Sequence, residues 1–120
     1  MSNRYLIDLI NGIVFIRFND MPTADDLISA IKEVVKFEQH ELRLWDLRHG
    51  ANLSADDLKN VADIAKSEKF KPSKIAVVAP DDLAFGLARM HEVYREQKNQ
   101  EYQVFRTEQA ATKWLLADKK

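Results

Sequence analysis

Two short apolar runs near the start of the chain predict a β-hairpin. Tyr5 to Ile10 and Ile13 to Phe18 are rich in β-branched and aromatic residues, and Asn11-Gly12 separates them. This dipeptide favours a type I′ turn, in which both central residues need positive φ. A two-residue turn fixes the register, and one face of the hairpin is then wholly apolar. The other face is mixed and carries Leu6, Asp8, Ile10, Ile13, Phe15 and Arg17.

The rest of the chain alternates helix and strand patterns. Helices are predicted from about Ala24 to Phe37, from the cap Ser54 to about Lys69, from Asp81 or Asp82 to about Gln97, and after the cap Thr107. Strands are predicted at Leu42 to Leu47, Lys74 to Ala79 and Tyr102 to Phe105. The order β-β-α-β-α-β-α-β-α is typical of an α/β fold with a mixed, mainly parallel sheet and right-handed crossovers. The length predicts a single domain over residues 1–120.

The third predicted helix suggests an interaction surface. Leu83, Leu87, Met90 and Tyr94 share one face, which we expect to pack on the core, and Phe85 then points almost oppositely. Phe85, with Ile13 and Phe15 of the mixed hairpin face, is therefore a candidate interface residue, and a symmetric homodimer is the expected assembly. The alternative is that a doubly covered sheet buries the hairpin face and a neighbouring loop covers Phe85.

Composition excludes several classes of function. The chain has 120 residues, a net charge of −1 and no Cys. Thiol catalysis, disulfides and thiolate metal sites are thereby excluded. A near-neutral charge argues against nucleic acid as a partner. We find no secretory signal and no apolar run of membrane-spanning length, so we expect a cytoplasmic protein that does not bind membranes.

Two stretches of the chain resemble a known group of proteins. They are Lys74 to Tyr94 (KIAVVAPDDLAFGLARMHEVY) and Val104 to Leu115 (VFRTEQAATKWL). Together with the hairpin they are similar to small bacterial STAS-like proteins, related to the anti-sigma-factor antagonists. The resemblance implies a mixed sheet with flanking helices, and a role in protein–protein regulation or small-ligand sensing. The antagonists' Asp-Ser-small-Gly phosphorylation pattern is absent from the corresponding stretch, Asp46 to Asp57.

Ser54 is the phospho-acceptor candidate at the start of a predicted helix. A phosphate there would gain from free backbone N–H groups and the helix dipole. Asp56 and Asp57 would repel it, and the alternative is a plain helix cap.

A second candidate site lies where two predicted parallel strands end. Ligands bind outside the carboxyl ends of strands in open α/β sheets. The ligand-binding candidates there are Asp46, Arg48, His49, Asp81 and Asp82. Alternatively, Arg48 pairs with a nearby carboxylate and His49 is a solvated loop residue.

The sequence predicts neither a cofactor nor a metal. Its three Gly are isolated, so no phosphate-binding loop is present, and His40, His49 and His91 lack metal-ligand spacing. We expect His91 to be a partly buried, hydrogen-bonded histidine. The expected function is a non-enzymatic regulatory or protein-interaction domain with an unidentified protein partner. The alternative is a small-molecule-binding protein or enzyme that uses the crevice at the strand ends.

Overall fold

The five strands of this protein lie in the sheet in the order in which they follow along the chain. The structure, a computed structural model, describes residues 4–95 and 100–117. The strands are β1 (Tyr5–Ile10), β2 (Ile13–Phe18), β3 (Leu42–Asp46), β4 (Ser73–Val78) and β5 (Gln100–Phe105). The helices are α1 (Ala24–Val34), α2 (Ala55–Ser67), α3 (Asp82–Arg95) and α4 (Glu108–Leu116). β1 is antiparallel to β2 and the other neighbours are parallel. The predicted α/β fold and element order are confirmed.

The hairpin turn has the backbone that its two residues predict. Asn11 has φ of 53° and Gly12 has φ of 80°. Ile10 lies opposite Ile13, which sets the register of the whole β1–β2 pair. The turn therefore determines which hairpin residues point to each face of the sheet.

Element ends differ from the predicted ones by a few residues. α1 ends at Val34 because Lys36 and Phe37 donate their N–H groups to Glu33 and Val34, three residues back, which tightens the last turn. β3 ends at Asp46, β4 begins at Ser73 and β5 begins at Gln100. The predicted end of the third helix, Gln97, lies outside the described residues.

Helices cover the sheet in two layers. α1, α2 and α3 pack on one face, where Val14, Trp45 and Val77 point. α4 packs on the other face, against Leu44 and Val78. Because neighbouring strand residues point to opposite faces, each central strand contributes to both cores.

Burial overturns the prediction that Ile13 and Phe15 belong to an interface. Both are buried, in one cluster with Ala111 and Leu115 of α4. The predicted alternative, a doubly covered sheet, therefore holds for β2. On the same face, Leu6 and Ile10 of the edge strand β1 remain exposed.

The predicted inner face of the third helix holds for Leu87, which packs on the core, but is wrong for Leu83 and Met90. Its buried apolar residues are Ala84 and Ala88, whereas Leu83 and Met90 are exposed. Phe85 is partly buried against the core, and the Arg106 guanidinium lies 4.1 Å from its ring centre. Small side chains let α3 approach the sheet closely, so Ala84 and Ala88 rather than Leu83 and Met90 mark its inner face.

We expect Gly12→Val to lower the free energy of unfolding by about 1–2 kcal/mol, because a β-branched residue resists positive φ. A Cβ added at Gly12 meets no atom within 4 Å, so the loss would come from the backbone alone. Urea denaturation measures it. Gly86→Ala is the control: its Cβ position is also open, it lies inside α3, and it should stabilise the protein by about 0.5–1 kcal/mol. An unchanged urea midpoint for Gly12→Val would contradict the turn assignment.

Candidate functional site

A cavity lies between the sheet and helices α1, α2 and α3. It leaves about 70 Å³ for the centres of water-sized atoms. Most of its wall is aliphatic or aromatic, with Trp45 and Ile75 from the sheet and Val61 and Ala88 from the helices. An enclosed apolar space with a few polar groups is the usual form of a small-molecule site.

Four polar side chains line this cavity and form what we call the polar corner: Arg43, His91, Arg95 and Tyr102. Arg43 lies beside Ile75 across the sheet, and Ile75 lies beside Tyr102, so the two polar residues share one row. The charge of Arg95 acts on the other three groups: it contributes to the lowered pKa of Arg43 and of His91, and it opposes the larger effect of burial, which raises the pKa of Tyr102. The polar corner is therefore one electrostatic unit.

Arg43 is a buried cation whose hydrogen-bond acceptors are neutral. The residue is 1% exposed. Its Nη1 donates to the His40 carbonyl oxygen at 3.1 Å and its Nη2 to Ser73 Oγ at 3.2 Å, and its guanidinium lies 4.0 Å from the Phe70 ring centre. Burial, with a smaller effect of Arg95, lowers the pKa of Arg43 to about 9. Within residues 4–95 and 100–117, no carboxylate forms an ion pair with Arg43.

His91 contributes an uncharged ring with one free nitrogen. Its Nδ1 lies 3.0 Å from the Tyr102 hydroxyl. Its Nε2 is buried and has no hydrogen-bond partner among the described residues. Burial, and secondarily the charge of Arg95, lowers the pKa of His91 to about 3. The ring is therefore neutral near pH 7, and the predicted partly buried, hydrogen-bonded histidine is confirmed.

Arg95 and Tyr102 complete the polar corner. Arg95 is buried and donates from Nη1 to Gln100 Oε1 at 2.9 Å. Burial lowers the pKa of Arg95 and raises the pKa of the Tyr102 hydroxyl, which stays protonated. Two guanidinium groups, a hydroxyl and a neutral imidazole thus face an apolar cavity, an arrangement suited to binding an anion.

The predicted residues Asp46 and Arg48 lie on the opposite face of the sheet. Asp46 is 2% exposed and accepts hydrogen bonds from Arg17 Nη1 at 2.7 Å and Arg48 Nε at 2.9 Å. Glu108, at the start of α4, accepts from Arg17 at 3.0 Å. The predicted alternative, in which Arg48 pairs with a nearby carboxylate, is confirmed. Asp46 is a satisfied structural charge.

The other three crevice candidates do not join Asp46. Asp81 caps α3, because its Oδ1 accepts the Ala84 N–H at 2.8 Å. The side chain of Asp82 is 96% exposed and pairs with Arg106 at 2.8 Å. His49 is exposed in the loop after β3. The prediction that these residues converge on one crevice is therefore wrong: Asp46 points towards α4 and Asp82 towards solvent.

Ser54 caps α2 reciprocally with Asp57. Ser54 Oγ accepts the Asp57 N–H at 3.0 Å, and Asp57 Oδ2 accepts the Ser54 N–H at 3.3 Å. This contact accounts for both residues without a phosphate. The phospho-acceptor role of Ser54 stays a prediction.

The polar corner does not follow from the pattern of hydrophobic and polar residues along the sequence. The signal that could have found it is Arg43, because its neighbours in the predicted strand, Leu42, Leu44 and Trp45, are all apolar. A single cation inside an apolar strand is unusual, since buried charges are costly without a partner. His40, in contrast, is a structural histidine: it accepts the Lys71 N–H at Nε2, and its Nδ1 lies 2.6 Å from the Phe37 carbonyl oxygen.

The stability of the protein should depend on pH through His91. Its pKa is about 3 in the folded state and about 6.5 when unfolded, so between these values the unfolded chain binds one more proton. Stability should then rise with pH in this window, and its loss on acidification should approach about 1.4 kcal/mol per pH unit from this residue.

His91→Gln should make this pH dependence shallower, because the amide keeps a hydrogen bond to Tyr102 but does not titrate. Urea denaturation at pH 4, 5 and 6 measures the slope. The control is His49→Gln, which changes an exposed histidine and should keep the wild-type slope. Equal slopes for wild type and His91→Gln would show that His91 is not held neutral by burial.

Comparison with known proteins supports the fold. No family model matches the chain, and no curated protein matches it by sequence. Among solved structures, the chain is similar to an uncharacterized protein of the DUF3478 family from Shewanella loihica, described as having a SpoIIAA-like fold. The match has a TM-score of 0.56 and 16% sequence identity, and it covers 96% of this chain and 98% of the other.

The likeness extends over nearly all of both chains, so it concerns the whole arrangement of strands and helices. The chain therefore has a SpoIIAA-like α/β fold, which is the architecture that its STAS-like resemblance implies.

None of the helices in the described ranges is both long and apolar enough to cross a bilayer.

Proposed function

We propose that this protein is a non-enzymatic binding domain that holds a small apolar ligand in the cavity between the sheet and helices α1–α3. The observation that carries the proposal is the cavity itself, which is lined mostly by apolar side chains and bordered by the polar corner. A small-molecule-binding protein is the alternative function that the sequence left open. The cavity, however, is not the crevice that the sequence predicted at the carboxyl ends of β3 and β4.

The chemistry of the wall favours binding over catalysis. The polar residues that line the cavity are two arginines, a histidine and a tyrosine. No carboxylate, serine or threonine of the described residues lines it. Hydrolytic and group-transfer sites commonly need a nucleophile together with an acid or base. The wall supplies contact area and hydrogen-bond donors instead.

The size of the cavity limits the ligand. A water molecule needs roughly 10–15 Å³ of space measured in the same way. The 70 Å³ present here therefore takes about five to seven water-sized groups. That corresponds to a short aliphatic chain or one small ring. Water would find few partners along the apolar part of the wall, so an apolar group would replace it favourably.

Filling the cavity should remove binding. Ala88 lines the cavity from α3, so Ala88→Leu should occupy part of the space. We expect 1-hexanol to cause saturable NMR shifts at cavity residues of the wild type, and at least tenfold weaker binding in Ala88→Leu. Ala110→Leu makes the same change at an exposed position of α4 and should bind as the wild type does.

Two results would contradict the proposal. One is the lack of saturable shifts with 1-hexanol and with similar small neutral probes in the wild type. The other is unchanged affinity in a folded Ala88→Leu protein. If Ala88→Leu does not fold, Ala65→Val narrows the same cavity from α2.

A second candidate function, protein interaction, is favoured by the outer surface of α3. Leu83, Met90 and Val93 are 57%, 42% and 71% exposed, and their spacing places them along one side of the helix. The edge strand β5 lies next to this surface, because Tyr102 and Gln100 border the same groove as Met90 and Val93. An exposed apolar row beside an unpaired strand edge is a common kind of interface.

If a second copy of the chain occupies this surface, Val93→Ser should weaken the dimer without unfolding the monomer, because Val93 packs little in the monomer. Sedimentation velocity over a dilution series measures the effect. Leu116→Ser, at an exposed position of α4, is the control and should leave the dimer unchanged. A monomeric wild type at every concentration would exclude self-association through α3.

A further inference from the structure

Arg43 is a buried cation that forms no ion pair with a carboxylate among residues 4–95 and 100–117. It lines the cavity, and burial disfavours its charge. The buried charge on the other face of the sheet, Asp46, differs from Arg43 because two arginines form ion pairs with it directly. Arg43 has only a carbonyl oxygen, a hydroxyl and an aromatic ring.

Arg43 retains donors for a ligand. A guanidinium has five N–H groups. The His40 carbonyl oxygen and Ser73 Oγ engage two of them, which leaves three. The residue is fixed by these two bonds and by the Phe70 ring, so its remaining donors are held in place before a ligand arrives. The cation is therefore preorganised rather than mobile.

His91 lines the same cavity and adds a second polar group to its wall. Its Nε2 is buried without a partner among the described residues, in a residue that lines the cavity. In the tautomer in which Tyr102 donates its O–H to Nδ1, Nε2 carries the ring proton and is a donor. The Nε2–H group of His91 and the guanidinium of Arg43 are together complementary to one small anionic group.

We propose that the ligand of this cavity is a monocarboxylate with a short apolar chain, whose carboxylate binds at Arg43 and His91 Nε2 and whose chain fills the apolar part. The inference rests on the proposed cavity function and names its ligand class. One carboxylate would give Arg43 the ion-pair partner that it lacks among the described residues. The apolar wall, with Val61 and Ala88, selects a hydrocarbon chain over an inorganic anion.

The test compares two ligands of equal chain length, hexanoate and 1-hexanol, by calorimetric or NMR titration. The wild type should bind hexanoate about ten- to a hundredfold more tightly, as expected for charge-assisted hydrogen bonds. Arg43→Met keeps a long side chain and removes the charge, so it should lose at least tenfold in affinity for hexanoate and keep its affinity for 1-hexanol. Arg106→Met is the control, since Arg106 also stacks on an aromatic ring but lies outside the cavity, and it should match the wild type.

The outcomes separate this inference from the proposed function. If 1-hexanol binds as tightly as hexanoate and Arg43→Met changes neither, the carboxylate inference is overturned and the cavity function stands. If neither ligand binds to the wild type, both fail.

A series from acetate to octanoate on the wild type keeps the inference testable even if Arg43→Met does not fold. Affinity should increase with chain length until the cavity is full. If acetate or chloride binds as tightly as hexanoate, the polar corner takes anions without a chain and the inference is overturned.

Discussion

The central strand β3 imposes the constraint on which the rest of the structure depends. It lies between two parallel neighbours and two helix layers, so alternate residues enter different cores. This strand carries one buried charge into each: Arg43 towards α1–α3 and Asp46 towards α4. A charge buried on either side needs compensation, because desolvation costs on the order of several kcal/mol. The two faces compensate their buried charge differently: one has a structural ion-pair network, and the other has the proposed binding site.

On the α4 face the demand is met within the chain. Arg17 comes from β2, Arg48 from the loop after β3, and Glu108 from the first turn of α4. Three parts of the chain that are distant in sequence are thereby held at one point, beside the cluster of Ile13 and Phe15. The network fixes the position of the last helix, and its charges are mutually neutralising.

On the α1–α3 face, the hydrogen-bond acceptors of Arg43 are all neutral, and the nearby charge of Arg95 adds to the cost of burying it. Ala84 and Ala88 bring α3 close to the sheet, yet a space remains beside Trp45 and Ile75. Ala84, Ala88 and His91 lie on the inner side of α3, with Leu87 also in the cavity wall, whereas Leu83, Met90 and Val93 are exposed on the outside. One helix therefore serves both proposed functions, the cavity by its inner face and the protein interface by its outer face.

The sequence by itself determined the element order, the hairpin register and the helix caps, since each follows from residues close together in the chain. Asn11-Gly12 sets the turn, and Ser54 with Asp57 sets the start of α2. The tertiary structure decided which face of α3 is inside and which charged residues pair with Asp46. It also decided that Arg43, His91 and Tyr102 border one cavity. Those relations depend on packing distances between segments up to about ninety residues apart, such as Arg17 and Glu108, and a local pattern of hydrophobic and polar residues carries no information about such distances.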